Sequence, residues 1–237
     1  MDKKYNPNGL ILWEGPSAVN GEPVVVIVTG LKRKSQNAKT GADMLQVFYL
    51  LQDTPPVDAM RDGSDVAICG NCKHRPHLGG KCYVKTWRAP RAVWAAYHAG
   101  RYARWDGDPT PFMSRRIRFG SYGDPACVPD ECNARLDVIR AVVSGISAYT
   151  HQWDSPLGEH LRSWVMASTD NVAEYLRAKA AGWRSFRVRQ ASEPVEAGER
   201  VCPAAKEAPT SLTCAKCLQC NGLGTAAKRP DRVIVHH

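Results

Sequence analysis

Trp164-Val165-Met166-Ala167-Ser168, then residues 171–181, then Gly182 and Ser185-Phe186-Arg187-Val188: this stretch decides the fold class. Two apolar runs of strand length flank a segment of helix length. Asp170 or Asn171 suits a helix N-cap, and Gly182 suits the stop. Strand, helix, strand is the unit from which parallel sheets are built. The same rhythm runs outward in both directions. Upstream, Ile117-Arg118-Phe119-Gly120-Ser121 reads as a strand and residues 134–143 as an amphipathic helix. Ala148-Tyr149-Thr150-His151-Gln152 reads as a strand, with a short helix at residues 158–162. Downstream, Glu199-Arg200-Val201 leads into Cys202. The expected class is α/β, with a partial (β/α) barrel or an open parallel sheet.

The N-terminal part reads differently. Leu10-Ile11-Leu12-Trp13 and Pro23-Val24-Val25-Val26-Ile27-Val28 flank Asn20-Gly21, a strong turn signal, and predict a β hairpin. Residues 44–51 predict a further strand, residues 56–61 a short helix, and residues 88–105 a helix. Three regions follow: 1–64 with the hairpin and lead-in elements, 65–201 with the α/β core and a first cysteine group, and 202–237 with a cysteine-rich segment. The tail beyond Lys228, ending Val233-Ile234-Val235-His236-His237, receives no assignment.

No run approaches the length of a membrane span. The start, Met1-Asp2-Lys3-Lys4-Tyr5, is polar and lacks the apolar centre of a signal peptide. A cytoplasmic, reducing setting is therefore expected, where clustered thiols mean metal or redox chemistry rather than disulfides. Nine cysteines is also an odd number for a disulfide framework. Net charge is +9, and much of it is local. Lys32-Arg33-Lys34 with Lys39 forms one patch. In segment 87–118, seven arginines interleave with Trp87, Trp94, Tyr97, Tyr102 and Trp105. Such a surface suits a nucleic-acid backbone, although no recognition motif accompanies it. A solvated face with structural tryptophans is the commoner outcome.

Polar residues gather where the expected strands end: Ser121 and Asp124, then Thr150, His151 and Gln152, then Ser168 and Asp170, then Arg187. Ligands of parallel sheets bind at the C-terminal strand ends, so these residues are candidates to hold a small-molecule ligand or cofactor. Any one of them is more often simply the place where a strand stops.

Seven cysteines fall in two groups. Cys202-Pro203 with Cys214-x2-Cys217-x2-Cys220 resembles in kind the triple-plus-Cys-Pro arrangement of bacterial ferredoxins, and favours a [4Fe–4S] cluster over zinc. A zinc site of four cysteines is the alternative, although zinc seldom takes three ligands so close in one loop. Cys69-x2-Cys72-x9-Cys82 supplies three thiols. His74 or His77 would complete a zinc site of three cysteines and one histidine. A three-cysteine cluster would instead leave one iron open to a small molecule. Cys127 and Cys132 read as ordinary thiols, one of which could close that first cluster.

With these motifs, Arg118 to Ala126 (RFGSYGDPA), Tyr149-Thr150-His151-Gln152-Trp153 and Gly182 to Val188 (GWRSFRV), the chain resembles uncharacterised bacteriophage proteins over residues 10–224. More distantly it is similar to the phage gene product 88 group and to the radical S-adenosylmethionine superfamily, a partial barrel with a three-cysteine cluster. That superfamily's usual spacing is CxxxCxxC, from which x2 then x9 departs. The resemblance implies two [4Fe–4S] clusters, one at Cys69, Cys72 and Cys82 and one at Cys202, Cys214, Cys217 and Cys220. It also implies S-adenosylmethionine as a cofactor and the host cytoplasm as the setting. Two functions compete on this reading. One is a radical or redox enzyme working at the strand ends. The other is a non-enzymatic phage accessory protein that binds nucleic acid or a host protein, with clusters or zinc as staples or redox sensors. The oligomeric state is not legible.

Overall fold

Continuous apolar runs such as Val24-Val25-Val26-Ile27-Val28 and Val47-Phe48-Tyr49-Leu50-Leu51, with turn glycines between strands, produce the first sheet. A computed structural model describes residues 7–35, 37–210, 212–222 and 229–235. The polar start and His236-His237 lie outside the described residues. Strand β1 (Gly9–Pro16) turns back onto β2 (Pro23–Thr29) as an antiparallel hairpin. Its turn carries Gly21 at φ 79°, a left-handed conformation that glycine adopts without strain. Strand β3 (Met44–Leu51) adds antiparallel to β2 and is buried along its whole length, on both faces.

From β3 onward every new neighbour is parallel. Helices α1 (Pro56–Asp62), α2 (Val66–Cys69) and α3 (Ala89–His98) lead to the short strand β4 (Ala103–Arg104), which pairs with β1. Strand β5 (Arg116–Tyr122) lies parallel to β3. Helix α4 (Asp130–Val142) then delivers β6 (Gly145–Ser147) parallel to β5. This first sheet has the order β4-β1-β2-β3-β5-β6.

Only Ala148 separates β6 from β7 (Tyr149–Thr150), which opens the second sheet. Strand β8 (Met166–Thr169), helix α5 (Val172–Ala180), β9 (Ser185–Arg189), β10 (Glu199–Val201), the short helix α6 (Cys214–Cys217) and β11 (Asp231–Val235) complete the described chain. The second sheet is wholly parallel, in the order β10-β11-β9-β8-β7. The α/β class, the parallel-rich sheet and the N-terminal hairpin are therefore present. The end strands β4 and β10 do not pair, so the order stays open among the described residues and no barrel closes. No helix among the described residues is long and apolar enough to cross a membrane.

One local expectation is corrected. Residues 88–105 do not form one helix: α3 stops at His98, and the chain turns at Gly100 (φ 62°) to enter β4. The tail left unassigned by the sequence enters the second sheet, where β11 sits between β9 and β10. Asp231 at its start accepts from the Ser185 amide (2.9 Å) and pairs with Lys179 (2.8 Å).

A buried ion pair fixes the second sheet. Arg187 on β9 donates through Nε and Nη2 to the two carboxylate oxygens of Glu199 on β10, at 2.9 and 2.7 Å. Both side chains are fully buried. Arg187 also donates to the Pro194 carbonyl (2.8 Å), which ties the connecting loop to the sheet. Truncating one partner leaves a buried, uncompensated charge, so Arg187→Ala is expected to cost about 3–5 kcal/mol by urea denaturation. Arg187→Met with Glu199→Leu should recover most of that loss.

Candidate metal centres

Helix α2 is one turn long and ends in Cys69, and the chain around it is held from three directions. Arg75 donates to Asp65 (2.8 Å) and to the carbonyls of Gly63 (2.6 Å) and Gly70 (3.3 Å). The Asp124 backbone amide, just beyond β5, donates to the Ile68 carbonyl (2.7 Å). The Gln152 carboxamide, just beyond β7, donates to the Cys69 carbonyl (3.1 Å) and accepts from the Asn71 amide (3.4 Å). The first cysteine group thus sits at the C-terminal ends of β5 and β7. Gly70, at φ 55°, fits under Gln152 so tightly that a Cβ would lie 2.6 Å from its carboxamide.

Cys72, Cys82 and Cys127 all lie within electrostatic reach of Cys69. Cys127 also faces Cys72. It is carried by the turn after Asp124, whose carboxylate caps the Ala126 amide (3.0 Å). The Cys127 carbonyl accepts from the Ala18 amide (3.0 Å), which pins that turn to the hairpin. Cys132, by contrast, is buried in the core beside Arg135 and Glu131. Burial raises the thiol pKa values here, with Cys72 pushed up to about 12. Bare thiolates are therefore disfavoured, and only a bound cation would draw the protons off.

Of the other strand-end candidates, Asp124, Thr150, His151, Gln152 and Asp170 meet around this group. Asp124 accepts from the His151 amide (2.8 Å), and burial raises its carboxyl to about 6. Thr150 Oγ1 accepts from the Gln152 backbone amide (2.9 Å). His74 contacts Asp170 (2.8 Å) rather than a thiol, and His77 packs on Gly63. Ser121 and Arg187 do not join them: Ser121 donates to Gln46 (2.6 Å), and Arg187 belongs to the Glu199 pair. Ser168 is buried, with its carbonyl taken by the Trp153 indole (3.0 Å).

The second group forms at the seam between the sheets. Ala148, the one residue between β6 and β7, donates its amide to the Cys220 carbonyl (2.9 Å). Leu218 packs directly on Gly145 at the start of β6. On the other side, the Cys214 and Ala215 amides donate to the carbonyls of Lys39 (3.0 Å) and Thr40 (2.9 Å). The basic loop 32–42 is therefore the shelf on which the cysteine triple rests. Cys202 arrives from β10, its amide bonded to the Val233 carbonyl (2.8 Å). Cys202, Cys214, Cys217 and Cys220 together line one small hollow with Ser147 and Arg232.

Three features were not legible in the spacing. Tyr149 hydrogen-bonds to the Cys220 thiol. Arg118 faces Cys214 and Cys220, and Lys39 and Arg232 face Cys202. The Nε atoms of Arg118 and Arg232 are buried without a hydrogen-bond partner. Buried donors of that kind need an acceptor. Four thiols beside two unpartnered arginine Nε donors fit an anionic, thiolate-ligated group.

All nine cysteines are free thiols, so no disulfide forms. One zinc ion would hold its sulfurs about 3.8 Å apart, given bonds of about 2.3 Å in a tetrahedron. Among the described residues, no three cysteine sulfurs lie within 4.8 Å of one another. The basic-aromatic segment offers little stacking surface. Trp105 and Tyr102 are buried, the Trp94 indole donates to the Leu51 carbonyl (3.1 Å), and Tyr97 donates to Glu14 (2.6 Å). Among the tryptophans and tyrosines of that segment only Trp87 is exposed.

Gly70→Ala should destabilise the protein by about 1–3 kcal/mol through its left-handed backbone and the clash with Gln152. Adding Gln152→Ala should relieve the steric part, so that a double-mutant cycle by chemical denaturation shows coupling between the two sites.

No protein-family model, curated protein or solved structure matches this chain.

Proposed function

We propose that this chain is an iron–sulfur redox protein with two [4Fe–4S] clusters. Cys202, Cys214, Cys217 and Cys220 hold one, and Cys69, Cys72, Cys82 and Cys127 hold the other. The observation that carries the reading is the convergence of four thiols from β10 and the segment 214–220 on one hollow flanked by unpartnered arginine nitrogens. Such clusters, when bound, accept and donate single electrons at potentials set by nearby charge, hydrogen bonds and exposure.

The chain's own residues make the two sites electrically unlike. Lys39, Arg118 and Arg232 face the second group, and Tyr149 donates to Cys220. All of these stabilise added negative charge. Asp124 and Asp170 face Cys72, so the first site resists it. The first site also adjoins the polar residues at the strand ends, where a small-molecule partner would bind.

S-adenosylmethionine chemistry at an open iron, which the resemblance implies, needs Cys127 to remain unligated. On the reading proposed here Cys127 fills that position, so S-adenosylmethionine should alter the electron paramagnetic resonance of the reduced first cluster only in Cys127→Ala. A change in the unaltered chain would restore the open-iron version. Nucleic-acid or host-protein binding through segment 87–118 draws less support, because its aromatic side chains are engaged internally.

The test is anaerobic purification followed by a redox titration of absorbance at about 400 nm, where thiolate-ligated iron absorbs. Two reduction steps are expected, the higher-potential one lost in Cys217→Ser and the lower-potential one in Cys72→Ser. A colourless protein, or variants with unchanged spectra, would remove the proposal.

A further inference from the structure

Outside the cysteines, one set of metal-ligating atoms is already gathered. His74, His151 and Asp170 each offer an atom, and these lie within 4.8 Å of one another. No other group of three or more such side chains is this close among the described residues. We propose that these three residues bind a divalent transition-metal ion through two imidazole nitrogens and one carboxylate oxygen. The inference uses none of the cysteines, and it does not depend on the iron–sulfur reading.

The geometry supplies the reasons. His74 Nε2 and Asp170 Oδ1 are 2.8 Å apart, close to the separation of about 3 Å between adjacent ligands bonded to one ion at about 2.1 Å. His151 Nε2 is buried and has no hydrogen-bond partner, which is costly for a ring nitrogen unless something occupies the space it faces. The His74 and His151 rings meet edge to face with centroids 5.4 Å apart.

The supporting contacts are those expected behind metal ligands. Asp170 Oδ2 pairs with Lys73 (3.1 Å), which leaves Oδ1 for the ion. Lys73 is itself held by Glu174 (2.7 Å), and the other Glu174 oxygen accepts from the Asp170 amide (2.8 Å). The Asn171 side chain caps α5 by accepting from the Glu174 amide (2.8 Å), so the carboxylate stands on a fixed helix start. The Asp124 carboxylate fixes His151 through its amide.

Two imidazoles and one carboxylate on one side leave further coordination positions open. That donor set suits ions of the manganese-to-zinc series and is the arrangement of non-haem iron sites that bind a substrate or dioxygen. The three residues come from the end of β7, the end of β8 and the first cysteine loop, so the ion would stand beside Cys72. The ligand class is thus a divalent ion with exchangeable positions, held beside the ends of β7 and β8.

Mn2+ is the discriminating probe, because thiolates bind it poorly while imidazole and carboxylate accept it. Disappearance of the free Mn2+ resonance signal on adding protein should report one ion per chain. His151→Ala and Asp170→Asn should each weaken binding by more than about 100-fold, and Lys73→Ala by about 10-fold, with far-ultraviolet circular dichroism unchanged. If no Mn2+ is taken up, or if well-folded His151→Ala and Asp170→Asn bind it as the unaltered chain does, the proposal fails. Uptake without any iron in the purified protein would sink the cluster reading and leave this one standing. Clusters without uptake would do the reverse.

Discussion

Four thiols brought to one hollow, with arginine and lysine charges close by, is the arrangement on which the proposed reading rests. Buried sulfhydryl groups gain little from each other. Burial pushes the Cys202, Cys214 and Cys220 thiols upward, Cys220 to about 12, so these three do not ionise by themselves to satisfy Arg118, Lys39 and Arg232. A folded chain that gathers such groups carries an unresolved electrostatic problem. A cation core that turned the thiols into thiolates, with net negative charge left over for the arginines, would resolve both halves at once.

The architecture shows how distant cysteines come to share one place. A strand interrupted only at Ala148 belongs to both sheets, and its central amide holds Cys220. The sheet seam, the hairpin's basic loop and the strand β11 therefore all converge on the second centre. The first centre is built at the opposite kind of location, where β5 and β7 end and Asp124 and Gln152 reach out to the cysteine loop. One site lies at the seam between the sheets, the other among the polar side chains where strands end.

Much of this was readable in the residues. Asn20-Gly21 marked the hairpin, Asn171 and Gly182 bounded α5 as cap and stop, and the apolar runs placed β5, β8 and β9. What failed was non-local. Val233-Ile234-Val235 has strong strand character, yet its position between β9 and β10 depends on partners far back in the chain. Arg187 looked like a ligand-binding residue because it is polar and near a strand end; Glu199 claims it only once the sheet assembles. Grouping His74 with Cys72 by spacing hid its contact with Asp170, since one loop can offer thiols and imidazoles to different neighbours. The charge in segment 87–118 said nothing of which aromatic side chains turn inward.

On the proposed iron–sulfur reading, the electrostatic contrast between the two sites would give the chain a direction: the carboxylate-flanked site at the strand ends would release electrons, and the arginine-flanked site at the seam would receive them. All of this requires iron and sulfide to be present. The most direct measurement is the iron, sulfide and zinc content of protein purified without oxygen. The account predicts about eight irons and about eight sulfides per chain, four of each from every cluster. Stoichiometric zinc with no acid-labile sulfide would contradict it.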